Sequence, residues 1–299
     1  RAVFDPLFPK HFSDIYTFSR RVLYDDVRVS YSIPLSLNAR FKNYGLTETE
    51  NRKDKDRQYL AWSFKNATVE KIKYTVPPVS EVGDMPTVTV STFPSYQAMA
   101  EAYGARAKEK AVVTDEIQKI ADSATKGITE PKEQARALYN WVIENLTYAG
   151  NCIGVGAVVP RDLDFVLKNK MGDCKDHATL LQTLLKAKGI ESTQALIGVN
   201  NMYKLPEIPT VSVVNHVINY IPAFDLYLDA TSGMPFATLP FQMTGKPVLL
   251  VDGFKEGSTT PKREPGQIGV TVEGEVTIAA DGSAEGTMKV SMASPEGGS

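Results

Sequence analysis

Cys174, His216 and Asp229 are of the types that together make a nucleophilic site. Cys174 stands in Met171-Gly172-Asp173-Cys174-Lys175-Asp176-His177-Ala178-Thr179-Leu180-Leu181, where a loop turns into a helix. Asp is a good helix N-cap, and Gly172 permits a tight turn and the close approach of another segment. The amino end of a helix carries about half a positive charge, which favours thiolate over thiol. A cysteine there is partly activated before any side chain helps it. The same thiol can equally be a small buried hydrophobe, because unpaired cysteines are often buried. A metal site from Cys174 and His177 with Asp173 or Asp176 is the weakest reading. The chain has no Cys-x-x-Cys pair and no second Cys/His pair, so neither metal nor any other cofactor is expected.

A thiol nucleophile needs a base, and the base needs an orienting group. The chain has 3 histidines. His11, in Pro9-Lys10-His11-Phe12, reads as a surface residue of a β-rich region. His177 follows Cys174 on the same helix at a spacing that lets the two side chains touch. His216 lies inside the β-branched run 213–220, where an imidazole is otherwise out of place. Asp229 ends the next strand candidate. A hairpin over 213–231, turning near Pro222-Ala223-Phe224-Asp225, sets His216 beside Asp229. A carboxylate there holds the imidazole tautomer and stabilises the imidazolium. Cys152 sits in a glycine-bearing loop with no base nearby and reads as structural, with a bridge to Cys174 left open. Gly154-Val155-Gly156 lacks the third glycine and the lysine of a phosphate cradle. Asp162 and Asp164 read as solvated charges.

The elements that must position these residues follow from the pattern. Alternation predicts strands at 27–34, 59–64 and 87–93, with the mixed-charge run 48–57 as a solvated turn. Helices are expected at 96–110, 114–125, 131–146 and 162–170, and a further one from Cys174 to a stop at Gly189. Strands at 193–199, 213–220 and 226–231 come next. Strands at 270–277 and 284–290, around Ala280-Asp281-Gly282, read as the start of another small β unit. Helices followed by antiparallel strands make an α+β order. The implied division is a β-rich domain at 1–94, a core at 95–255, and a linker with a β segment at 256–299.

Composition bounds the function classes. With 299 residues, 42% hydrophobic and 23% charged, the chain is of globular type. A net charge of -2 gives no electrostatic reason to expect nucleic acid as partner. No apolar run approaches the roughly 18 residues of a membrane span. The opening Arg1 reads as a cut in a longer chain or as the result of signal-peptide removal, and the ending Ser294-Pro295-Glu296-Gly297-Gly298-Ser299 as a cut in a longer chain or an added tail.

These residues resemble a known family. Gly172-Asp173-Cys174-x-Asp176-x-Ala178-x-Leu180-Leu181, continuing through Leu184-Leu185 to Gly189-Ile190, is similar to the core motif of the transglutaminase-like superfamily. Asn215-His216-Val217 and Leu228-Asp229-Ala230-Thr231 resemble its His and Asp motifs. The segments 138–148, with Trp141, and 160–170 are similar to helices preceding the cysteine. The likeness covers roughly 131–236, and is closest to a bacterial group in which a β domain of unknown function, with Val90-Ser91-Thr92-Phe93, comes first. Departures are Ile218, where many members have Trp, and Leu226-Tyr227, where many have Gly-Trp. They bear on the acyl-donor groove and leave the three residues whole.

The resemblance implies a papain-like fold, with a Cys-bearing helix packed on an antiparallel sheet. It implies Cys174 as nucleophile, His216 as general base and acid, and Asp229 as orienting carboxylate. It further implies a protein or peptide substrate, an extracytoplasmic bacterial location (periplasm or cell surface), and chemistry on amide bonds through a thioester. Hydrolysis is favoured over transfer because no dedicated amine site is visible. The alternative from another class is a catalytically silent scaffold of this fold that binds a peptide or protein partner.

Overall fold

The computed structural model describes residues 7–71, 79–150, 153–262 and 270–292. Cys152, part of the 256–266 linker and the terminal 294–299 segment lie outside the described residues.

The first elements are β1 (Ser13–Thr17), β2 (Tyr24–Pro34), β3 (Arg40–Tyr44), β4 (Thr47–Asp54), β5 (Arg57–Asn66) and β6 (Thr87–Ser91). They form two antiparallel sheets, β1-β6-β3 and β2-β5-β4. Val29 and Ile33 of β2, Leu60 and Trp62 of β5, and Val88 and Val90 of β6 share one buried cluster. The strands expected at 27–34, 59–64 and 87–93 are β2, β5 and β6. The 48–57 charge run is not mainly a turn: most of it is the edge strand β4, with the turn at Lys55-Asp56. Charged side chains suit an edge because they discourage pairing with another chain.

The helices are α1 (Tyr96–Lys108), α2 (Asp115–Ala124) and α3 (Pro131–Asn145). Ser95 and Thr114 cap the first two, accepting from Ala98 N–H at 3.1 Å and Ile117 N–H at 3.3 Å. Next come β7 (Thr147–Tyr148), α4 (Leu163–Asn169), β8 (Met171–Gly172) and α5 (Cys174–Ala187). Then β9 (Thr193–Ile197), β10 (His216–Ile221), β11 (Leu226–Leu228) and β12 (Val248–Leu250) make a sheet of order β11-β10-β9-β12. Every pairing in it is antiparallel. Past β12, Gly245 N–H donates to the Pro261 carbonyl and Thr260 N–H to that of Lys246, so the chain stays against this sheet through Pro261. Last come β13 (Val270–Ile278) and β14 (Ala284–Met292), an antiparallel hairpin. Its register pairs Val272 with Val290, and both stay more than half exposed.

The helix α5 is the centre of the core. The pattern in sequence suggested one apolar stripe, Ala178, Leu181, Leu184 and Leu185. The structure also buries Thr179, Leu180 and Thr183, so the helix is enclosed nearly all round. Leu180, Leu181, Leu184 and Leu185 pack with residues of α2, α3, α4, β10 and β11. Ala178 packs with Met99 and Tyr103 of α1 and Leu249 of β12. The threonines tolerate burial because their hydroxyls donate to carbonyls one turn back, Thr179 to Lys175 and Thr183 to Thr179, both at 2.7 Å.

Truncation at the middle of α5 therefore leaves a cavity that no neighbour can fill. Leu184→Ala is expected to lower the unfolding free energy by about 2–5 kcal/mol in denaturant titration. A loss under about 1 kcal/mol would mean that the helix is not enclosed as described.

Candidate active site

Cys174 is the first residue of α5 and is half-buried. The approach to it is fixed by a two-rung parallel bridge, Thr147 with Met171 and Tyr148 with Gly172. Ala149 N–H adds a bond to the Gly172 carbonyl at 2.8 Å. Gly172 is required by space: a Cβ there would stand 2.6 Å from Asp176 Cβ. The missing side chain lets Asp176 fold back over the start of its own helix. Asp176 Oδ2 accepts from Asp173 N–H at 3.0 Å, and Oδ1 accepts from Arg161 N–H at 2.8 Å. Asp176 is thus engaged in closing the helix end and holding the chain before α4. The room that Gly172 provides is taken by this side chain, where the sequence suggested passage of another segment.

Asp173, the N-cap residue, forms a reciprocal capping box with Asp176 and turns its Oδ2 to the ammonium of Lys175. Its Oδ1 has no hydrogen-bond partner among the described residues. His177 is buried, with Nδ1 2.9 Å from the Asp173 carbonyl. A carbonyl only accepts, so Nδ1 carries the proton. Burial holds His177 below its ordinary range, against the raising effect of the Asp173 carbonyl and nearby carboxylates. His177 thus belongs to the helix's own first turn.

His216 opens β10, and Asp229 follows the last residue of β11. The β10–β11 ladder ends at the pair Asn219 and Leu228. The two residues therefore meet beyond the last rung, where the sequence placed them side by side within the hairpin. His216 Nε2 and Asp229 Oδ2 are 3.2 Å apart. Neither atom has an aligned hydrogen bond, so this is an ion-pair contact set off the N–H direction. Burial opposes the imidazolium. Contacts with Asp229 and with the Cys174 side chain outweigh it and raise His216 to about 9. Burial would raise Asp229 too, but His216 and Thr231 hold it below the usual carboxylate value.

Asp229 is tightly held. Its Oδ1 accepts from Thr231 N–H at 3.0 Å and Thr231 Oγ1 at 2.7 Å. Its carbonyl accepts from Tyr139 Oη at 3.1 Å and Ser232 Oγ at 2.9 Å. Asn219 ties β10 to α5, donating through Nδ2 to the Ala178 carbonyl at 2.9 Å. Tyr103 of α1 donates to Gln194 Oε1 at 2.6 Å, and Gln194 donates to Thr179 Oγ1 at 3.0 Å. Burial, then the charges of Cys174, Asp173 and Asp176, keep the Tyr103 phenol neutral.

The structure thus brings Cys174, His216 and Asp229 into one contact series. It reserves His177 for local support. His11 is not a free surface residue: its ring stacks on Phe93 at 4.4 Å and its Nδ1 is buried. Tyr103, Tyr139, Gln194, Asn219 and Thr231 were not singled out in sequence. Asn219, polar inside a β-branched run, carried a readable signal. Tyr103 and Tyr139 look like core aromatics and carried none. Among the described residues no three or more His, Cys, Asp or Glu side chains gather as a metal site would need.

Comparison with known proteins follows this geometry. The family model of the transglutaminase-like superfamily matches residues 118–203. The match includes Cys174 and stops before His216 and Asp229. No curated protein matches the chain. A crystal structure from Parabacteroides distasonis ATCC 8503, described as a "putative protease", superposes with a TM-score of 0.66 at 18% identity. The match covers 83% of this chain and 47% of that one, so this chain spans about half the length of its structural relative. A structure from Cytophaga hutchinsonii, described as a "putative cysteine protease", has a TM-score of 0.32 at 12% identity, covering 95% of this chain and 85% of its own. At that score the second superposition carries no argument. The superposition on the first of these structures and the match over 118–203 agree: the chain has an α+β, papain-like fold, with a Cys-bearing helix packed on an antiparallel sheet, and residues 118–203 match the transglutaminase-like superfamily.

Proposed function

We propose that this chain is a cysteine-dependent enzyme acting on amide bonds through a thioester. The observation that supports it most is the contact series Cys174–His216–Asp229 at the amino end of a buried helix. A histidine raised to about 9 holds its proton at neutral pH, beside a thiol whose helix end favours negative charge. The description of the Parabacteroides structure as a "putative protease" agrees with this reading.

The steps follow from the residues. The Cys174 thiolate attacks the carbonyl carbon of a peptide bond or a glutaminyl side chain. The carbonyl electrons move to oxygen, for which the Cys174 N–H is one candidate donor and a side chain near Tyr148 a candidate second. The C–N bond breaks as His216 gives its proton to the leaving nitrogen. Amine or ammonia departs and the acyl group stays on sulfur. Water, losing a proton to His216, then attacks the thioester and restores the thiol. An amine in place of water would give transfer. Hydrolysis is the reading preferred, since nothing in the sequence suggests a dedicated amine site.

Two outcomes test this. Cys174→Ala should abolish release of amine or ammonia from a glutaminyl and peptide panel, and His216→Ala should lower it by about 10²-fold or more. Iodoacetamide should label wild-type Cys174 readily at about pH 6, and the His216→Ala profile should move to higher pH. Slow labelling that ignores His216 would refute the nucleophile and favour a binding scaffold. The second outcome concerns titration. By NMR, His216 should titrate near 9, and Asp229→Asn should bring it towards the ordinary 6.5. Because the folded value exceeds the unfolded one, the ion pair's stabilisation is full below 6.5 and lost as pH rises through about 9. The stability gap between wild type and Asp229→Asn should narrow across that window. A wild-type midpoint near 6.5 would sink the assignment.

A further inference from the structure

Cys174 lies between two opposite charges that are both withdrawn from water. Asp173 is 1% exposed and Lys175 is 3% exposed, and the Lys175 ammonium donates to Asp173 Oδ2. Lysine is almost never fully buried. A buried ion pair generally returns no more than its desolvation cost, and apolar residues of similar size often stabilise a fold as well or better. The pair therefore asks for an explanation beyond folding.

The surroundings supply one. The charged and titratable groups around the thiol are Asp173, Lys175, Asp176 and His177 on α5, Tyr103 on α1, His216 on β10 and Asp229 after β11. Three are carboxylates. Asp229 is matched by His216 and the Thr231 donors. Asp176 is matched by two backbone N–H groups and by Arg161, whose Nε stands 3.6 Å from Oδ2. Asp173 completes a capping box with the Asp176 N–H, but among the described residues its one cation is Lys175, and its Oδ1 is buried without a hydrogen-bond partner. The first turn of α5 has no surplus positive side chain. Removing Lys175 would leave an uncompensated carboxylate on the residue next to the thiol, opposing any negative charge there.

We propose that Lys175 is a positioning residue for the Cys174 thiol. It neutralises the N-cap carboxylate, so that the positive helix end and His216 act on the sulfur unopposed. This rests on the reading of Cys174 as the nucleophile. It assigns Lys175 no contact with substrate and no proton transfer. Its effect reaches the sulfur through charge alone.

The test is alkylation of Cys174 by iodoacetamide, followed by mass spectrometry in the full chain from about pH 5 to about pH 10. Lys175→Met should move the half-maximal pH upward by about one unit, which is about tenfold in rate on the acid limb. Asp173→Asn combined with Lys175→Met removes both charges and should return the profile towards wild type. Asp173→Asn alone leaves the ammonium unopposed and should move it downward, which keeps a readout if Lys175→Met does not fold. A Lys175→Met protein that melts earlier but alkylates with the wild-type profile would overturn the inference and leave the pair a purely structural one. So would an Asp173→Asn profile that does not move. These failures differ from failure of the enzyme reading, in which wild-type Cys174 itself ignores His216→Ala.

Discussion

Bringing the amino end of a helix into the protein interior is the constraint to which the rest of this structure answers. The first turn of a helix has backbone N–H groups without helical partners, and here it also carries Asp173, Lys175, Asp176 and His177, all nearly out of solvent. Each must be satisfied by something close. Asp176 folds back over Gly172, Lys175 turns to Asp173, and His177 donates to the Asp173 carbonyl. The loop before α4 and the parallel bridge of β7 and β8 are held in place by the same contacts.

The sheet answers the same constraint from the other side. Asn219 donates to a carbonyl of α5, and Tyr139 of α3 donates to the carbonyl of Asp229. These bonds set the strand ends against the helix end. His216 and Asp229 then meet where the ladder has stopped, and the side chain of Cys174 lies within the reach of His216. The charge arrangement is short-ranged and mostly enclosed, so it is little screened by salt.

Much of this was legible in the sequence, and the gaps have physical causes. The helix from Cys174 showed by its leucine spacing, and the strands around His216 and Asp229 by β-branched runs. Cys174, His216 and Asp229 stood out because few residue types make such a series. β1, β3 and β12 did not stand out. They are short, and their pairing comes from partners far along the chain, β6 for the first two and β9 for the third. The charge run of β4 read as a turn because an edge strand with wet faces has no apolar alternation. The burial of Thr179 and Thr183 on α5 was not legible, because sequence does not reveal that a hydroxyl can satisfy itself one turn back. Tyr139 could not be told from any core aromatic, since what sets it apart is where its hydroxyl ends.

The enclosure of α5 has one further consequence. The helix that presents the thiol is also the one around which the hydrophobic interior is assembled. Its first turn is tied into that interior, and hydrogen exchange at the hydrogen-bonded amides of its central turns should follow the most cooperative unit of the protein. On the proposed reading, reactivity and fold are coupled through one element. A drift of sequence that loosens the leucine packing reaches the chemistry as well. Diversification is therefore easier at the exposed rim around Tyr148 than on the helix or the strand ends bonded to it.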